Sequence, residues 1–245
     1  MTPRSPSEVQ LEATTSIEAA SVQVLAGFRT PAAEVLAGGP LDIEFFIENR
    51  GQTTLYFALG TSRACLRPAF HTLTARLGRS GRPLDDPHAD ARELGGPMGI
   101  RPLGPGEAFA QMLIGGQFIC LEHLKDIVAQ GEMQLVSVRC QRPLPAASDG
   151  AAALQLSPYT PIVDATLRIH VRRDDHALAH CIAALAEQAR SKHPLPPAPE
   201  WEHAVATLCA LRVPEARPHL QALLGHPDPA TRTMAAQALA TLERW

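Results

Sequence analysis

The sequence predicts an antiparallel β-sandwich followed by a short α-helical domain, and three observations carry the prediction. From residue 16 to about residue 172, apolar side chains recur with period two. Turn-forming residues separate these runs without helical runs between them. At Asp174-Asp175 the period changes to 3.6. Residues 1–15 read as a polar tail, 16–172 as the β-domain and 173–245 as a domain of about four helices.

The strands follow in order. Val22, Val24, Ala26 and Phe28 alternate, as do Leu73, Ala75 and Leu77. Leu41, Ile43, Phe45 and Ile47 share one face, with acids on the other. Asn49-Arg50-Gly51-Gln52 then supplies turn chemistry before Thr53, Leu55, Phe57 and Leu59, which is the signal of a hairpin. The last strand is the clearest: Val163, Ala165, Leu167, Ile169 and Val171 face one way, and Asp164, Thr166, Arg168, His170 and Arg172 the other. Half-buried strands of this kind belong to antiparallel sheets with one wet face. Residues 78–106, with seven Gly and five Pro, and residues 143–161 interrupt the pattern as loops. The apolar run over 115–127 is expected as a short helical crossover.

Four helices are expected after Asp175. The first, over 176–190, places Leu178, Cys181, Ile182, Leu185 and Ala189 on one face. A Pro-rich connector, 192–199, leads to a second over 202–211 with Ala204, Val205, Leu208 and Leu211. Val213-Pro214 opens the third, striped by Leu220, Leu223 and Leu224. Asp228 is a natural N-cap and Pro229 fits the first position of the fourth, striped by Ala235, Ala238, Leu239 and Leu242.

This last stretch resembles a HEAT repeat of the bacterial, phycobilisome-lyase-like type. Leu223-Leu224, Asp228, Arg232, Ala235-Ala236, Ala238-Leu239 and Leu242 carry the likeness, and Thr231 departs from the usual apolar residue. A poorer second repeat spans about 176–212. In the β-part, Gly104-Pro105-Gly106-Glu107-Ala108-Phe109 and Gly131-Glu132-Met133-Gln134-Leu135 resemble the ending of bacterial immunoglobulin-like sandwiches, the intracellular proteinase inhibitors among them. LDIEFFIENRGQTTLYF is similar to their early hairpin, while Met133 stands where an aromatic is usual. The likeness implies an immunoglobulin-like fold and bears little on function.

Composition narrows the functional classes. Residues 1–172 hold 15 Lys and Arg against 17 Asp and Glu, and residues 173–245 hold 7 against 8, so neither part has the basic footprint of nucleic-acid binding. No run approaches the ~20 apolar residues of a membrane span, and no apolar run of secretory length opens the chain. The five cysteines, Cys65, Cys120, Cys140, Cys181 and Cys209, are odd in number, widely spaced and without a CxxC. Free thiols in the cytoplasm are expected, with a disulfide among Cys65, Cys120 and Cys140 as the alternative, and with a periplasmic or secreted location if the chain is a processed form.

Candidate chemistry is sparse. GxSxG, HExxH, P-loop and EF-hand patterns are absent from the sequence. His176 and His180, spaced i, i+4 behind Asp174 and Asp175, share a helix face but name no third ligand. Cys120-x-x-His123 reads as half a metal site, a thiol beside a base, or a buried structural cysteine. Asp85, Asp86, Asp90 and Glu93 lack the spacing of a calcium loop. Gly104-x-Gly106 reads as a turn. Both tryptophans, Trp201 and Trp245, fall in the helical part, which disfavours a sugar-binding sandwich. No catalytic residue, cofactor or metal ligand is therefore assigned. The expected function is a non-enzymatic interaction or scaffold protein that binds another protein or a second copy of itself. Trp201, Arg244 and Trp245 are its candidate contacts, because a short repeat needs a neighbour to cover its apolar face. A proteinase inhibitor using loop 78–106 and an enzyme of unrecognised type are the alternatives.

Overall fold

The computed structural model describes residues 9–19, 22–60, 67–78, 81–89, 98–144, 161–190 and 199–243. The chain forms a β-sheet region followed by a segment of four helices. By internal contacts it divides into two units, 1–33 with 42–119 and 135–169, and 34–41 with 120–134 and 170–245.

In the first unit, β1 (Glu12–Ala19), β2 (Val22–Arg29), β4 (Asp42–Asn49) and β9 (Ala108–Ile114) form one antiparallel sheet in the order β1-β2-β4-β9. β1 begins at Glu12, inside the stretch expected as tail. β11 (Ile162–Arg172), β10 (Met133–Pro143), β6 (Thr72–Leu77) and β7 (Arg82–Leu84) lie in that order in a second sheet. The final residues of β11 pair with β3 (Glu34–Leu36) in the second unit. That pair is parallel, a departure from the all-antiparallel expectation. β5 (Leu55–Gly60) and β8 (Met98–Leu103) pair separately. β7 and β8 are drawn from the stretch expected as one long loop, because Leu84 and Leu103 each have a buried place to fill.

Period two is obeyed where it was expected. Leu41, Ile43, Phe45 and Ile47, and Val163, Ala165, Leu167, Ile169 and Val171, are all buried. Burying each larger aliphatic contributes at most about 1.5–3 kcal/mol. Phe28 and Phe45, cross-strand neighbours in the first sheet with rings 5.3 Å apart, both meet His71, which precedes β6 of the second sheet, edge-on at 6.3 and 5.4 Å.

The expected hairpin at residues 49–52 is not one. β4 pairs with β2 and β9, and β5 pairs with β8, so the chain changes sheets at this turn. Asn49, fully buried, supplies the reason. Its Oδ1 accepts from Gly51 N at 3.0 Å, and its Nδ2 donates to Thr53 O and Leu103 O, both at 2.9 Å. Its backbone N–H donates to Glu107 O at 2.9 Å, and its carbonyl accepts from Gly106 N at 2.8 Å. One side chain thus ties the β4–β5 crossing to the β8–β9 crossing and leaves no buried polar group of its own unpaired. Gly106 turns the second crossing at φ +75°, a conformation that favours glycine.

In the second unit, α1 (Leu124–Ile127) follows the short 3-10 turn Leu121–His123, as the expected crossover. β11 ends at Arg172 and α2 (Asp175–Arg190) begins where the period changes. Asp174 caps it by accepting from Ala177 N at 2.9 Å. α3 (Pro199–Ala210), α4 (Arg217–Leu223) and α5 (Pro229–Leu242) follow. Leu178, Ile182, Leu208, Leu220, Leu223, Ala235 and Leu242 belong to one buried cluster with Val213. The helices cover one another's stripes, in place of the open apolar face expected of a short repeat. Short connections between helices favour such closure. Leu224 is the large apolar side chain of these helices that stays exposed among the described residues. Gly38, at φ +80°, lets segment 34–41 approach this unit's core, since a Cβ there would lie 2.8 Å from Val213 Cγ1.

Candidate functional site

A sheet edge is defined by what does not pair with it. Among the described residues β9 pairs with β4 alone. The bond from Asn49 N to Glu107 O fixes the phase of that ladder. Alternation then turns the N–H and C=O groups of Phe109, Gln111 and Leu113 towards β4, and those of Ala108, Ala110 and Met112 outwards. Ala108, Ala110 and Met112 are also the exposed side chains of the strand, Met112 at 41%. The seven residues AFAQMLI carry no charge, proline or glycine.

The other edges are short, charged or covered. β7 has three residues, Arg82-Pro83-Leu84, and β3 has three. β1 contains Glu12 and Glu18, and β8 contains Arg101 and Pro102. These are the devices by which natural edge strands avoid unwanted pairing. β5 is uncharged but buried at Leu55, Phe57 and Ala58. Its carbonyls are met inside the unit: Ala58 O accepts from Arg142 Nη2 at 2.6 Å, and Gly60 O from Ala69 N at 2.7 Å.

Arg142 is itself unusual, at 1% exposure with Nε unpaired. Its Nη1 lies 3.0 and 3.1 Å from the two ring nitrogens of His71. Its guanidinium carbon sits 4.9, 5.9 and 6.0 Å from the ring centres of Phe45, Phe57 and Phe70. Phe70 takes φ +66°, a strained value for a non-glycine residue, next to His71. Burial lowers Arg142 to about 10, so it stays cationic at neutral pH. Burial and the Arg142 charge lower His71 to about 3, so its ring is neutral. The pair closes the edge of β5 and fills the space between the sheets.

The residues singled out in the sequence fall as follows. Trp201 is partly buried, donates its indole N–H to Ala189 O at 3.0 Å and stacks on His226 at 5.5 Å. Arg244 and Trp245 lie outside the described residues, as do Cys65, Asp90 and Glu93. Asp86 accepts from Arg67 Nη1 and from His88 N, both at 2.8 Å. His176 and His180 are exposed with ring centres 4.5 Å apart, and they belong to no group of three ligand-type side chains among the described residues. Among the described residues Cys120, Cys140, Cys181 and Cys209 form no disulfide. Gly104 and Gly106 form the β8–β9 turn, with Gly104 N donating to Glu107 Oε2 at 2.6 Å.

Cys120 and His123 do come together, at the ends of the 3-10 turn Leu121–His123, and Glu122 joins them. One ligand-type atom from each lies within 4.8 Å of the others. Burial raises the Glu122 carboxyl, opposed by its own backbone, Arg212, His123 and a hydrogen bond with Cys120. Its Oε1 is buried and unpaired. Glu122 was missed in the sequence because an acid beside a histidine usually reads as solvated.

The fold and these features define a β-sheet domain in which, among the described residues, β9 is an edge strand, followed by a four-helix segment. No family model matches the chain, and no curated protein does. Solved structures give distant matches. The CARDB domain of the PF1109 protein from Pyrococcus furiosus, solved with di-metal ions, is 10% identical with a TM-score of 0.25, over 64% of this chain and 94% of that one. A β-glucosidase from Listeria innocua, solved with glucose, is 14% identical with a TM-score of 0.26, over 59% of this chain and 16% of that one. The Salmonella enterica SafA pilin–SafB chaperone complex is 13% identical with a TM-score of 0.19, over 67% of this chain and 59% of that one. Among the described residues no helix is long and apolar enough to cross a membrane.

Proposed function

We propose that the protein is a non-enzymatic interaction protein whose β9 edge pairs with β9 of a second copy. The observation that carries this reading is the edge itself: seven uncharged residues with outward-facing backbone groups at Ala108, Ala110 and Met112. Antiparallel pairing about a two-fold axis at Ala110 sets Ala110 opposite Ala110 and Ala108 opposite Met112. Small and apolar side chains then face one another with no like charges, and two four-stranded sheets become one of eight. The immunoglobulin-like description of the β-domain belongs to this reading, supported by the two facing sheets. A HEAT-like origin of the helices rests on the sequence likeness alone, and the proteinase-inhibitor alternative on the sandwich likeness and the 78–106 stretch. Free thiols support a reducing compartment.

Sedimentation equilibrium of the full chain tests the reading. A dimer is expected, converted to monomer by Ala110→Lys, which sets two ammonium groups face to face, and also by Met112→Lys. Unchanged circular dichroism would show that the variants fold. A wild-type chain that stays monomeric at high concentration, or a dimer indifferent to both substitutions, would overturn it.

A further inference from the structure

We infer that Cys120, Glu122 and His123 form a binding site for a divalent transition metal of the zinc class. The inference is independent of the β9 edge, since all three residues lie in the second unit.

Three observations support it. The donor set is a thiol, a carboxylate and an imidazole, the combination that zinc takes, and hard oxygen-seeking ions do not take sulfur. The three atoms lie within 4.8 Å of one another. Tetrahedral bonds of about 2.0–2.3 Å place neighbouring ligand atoms roughly 3.3–3.7 Å apart, so side-chain rotations of about 1 Å close the site. Finally, Oε1 of Glu122 is buried without a hydrogen-bond partner, and the same carboxyl group is hydrogen-bonded with Cys120. An unpaired buried carboxylate oxygen is costly, and a cation at this point removes that cost.

The turn is suited to the task. In a 3-10 turn residues i and i+3 eclipse, which aligns Cys120 with His123. Cys120 is fully buried, and Leu121 and Leu124 beside it are buried too, so the backbone that carries the ligands is held by packing. On binding, the Cys120 S–H bond breaks, the proton leaves to solvent, and the sulfur electron pair forms the metal–sulfur bond. Three protein ligands leave the fourth position of a tetrahedral metal to water. Because a proton is released, affinity rises with pH.

The test uses the full chain, stripped with a chelator and titrated with Zn²⁺ against a colorimetric competitor, and with Co²⁺ in parallel. One equivalent of Zn²⁺ per chain is expected, and the Co²⁺ form should show a near-ultraviolet thiolate-to-cobalt band. Cys120→Ser, Glu122→Gln and His123→Gln should each weaken binding at least tenfold, and Cys120→Ser should erase the band. The double variant His176→Gln, His180→Gln should bind as the wild type does. Absence of stoichiometric binding or of the cobalt band in the wild-type chain overturns the site, whether or not any variant folds. So does binding that survives Cys120→Ser and His123→Gln, or that disappears in the His176, His180 variant.

Discussion

Arg142 Nη2 donates a 2.6 Å hydrogen bond to the carbonyl of Ala58, and by doing so closes the inner edge of β5 from within the sandwich. The guanidinium has no carboxylate partner among the described residues. It is held instead by that carbonyl, the neutral His71 ring and the faces of Phe45, Phe57 and Phe70.

Replacing Arg142 by Ala therefore removes a large buried side chain and strands the Ala58 carbonyl. Cavity and lost hydrogen bond together give an expected destabilisation of about 3–5 kcal/mol. Urea unfolding checks it, and a loss under about 1 kcal/mol would show that the cluster contributes little.

His71 gives the first unit a defined response to acid. Its folded value, about 3, lies below the usual 6.5, so the unfolded chain takes up a proton that the folded one refuses. The stabilising contribution is complete above about pH 6.5 and is lost progressively as pH falls towards 3, by a total on the order of 5 kcal/mol. Unfolding free energies measured from pH 7.5 to 4.5 should decline, and His71→Gln should flatten that decline relative to the wild type.

Asp228 caps α5, accepting from Thr231 N and Thr231 Oγ1, both at 2.7 Å, and these bonds hold its carboxyl below the usual carboxylate range. Asp228→Ala should cost about 1 kcal/mol, and Asp228→Asn much less, by thermal denaturation. The contribution is present above the unfolded carboxylate value and is lost as pH falls through the lowered one. Equal losses for Ala and Asn would assign the effect to charge and remove the capping account.

The thiols should separate by reactivity. Burial pushes Cys140 and Cys209 up to about 12, which leaves almost no thiolate at neutral pH. In native protein both should resist iodoacetamide while Cys181, half-exposed on α2, is alkylated ahead of them. In denatured, unreduced protein all five thiols should react. Peptide mapping reads both experiments, and finding three or fewer thiols would indicate a disulfide.

What the sequence determined by itself was local. The inward faces of β4 and β11, the change of period before α2, the Asp228 cap and the helix stripes follow from side-chain periodicity and from bonds between neighbours in the chain. Such signals are complete within a few residues. What only the tertiary structure decided was who lies beside whom. Asn49-Arg50-Gly51 reads as a hairpin turn because its local chemistry is that of a turn, yet Leu103, Gly106 and Glu107, more than fifty residues on, make it a crossing between sheets. AFAQMLI is not read as a strand from the sequence, and its place as an edge depends on no neighbour pairing beyond it among the described residues. Nothing in the sequence around Arg142 marks it as buried, because the Ala58 carbonyl that receives it lies 84 residues away. Cys120 and His123 were visible as a spacing, but the burial that leaves Glu122 Oε1 unpaired is a property of the packing around them. Strand partners and burial are set by contacts distant in sequence, and no short window of residues contains them.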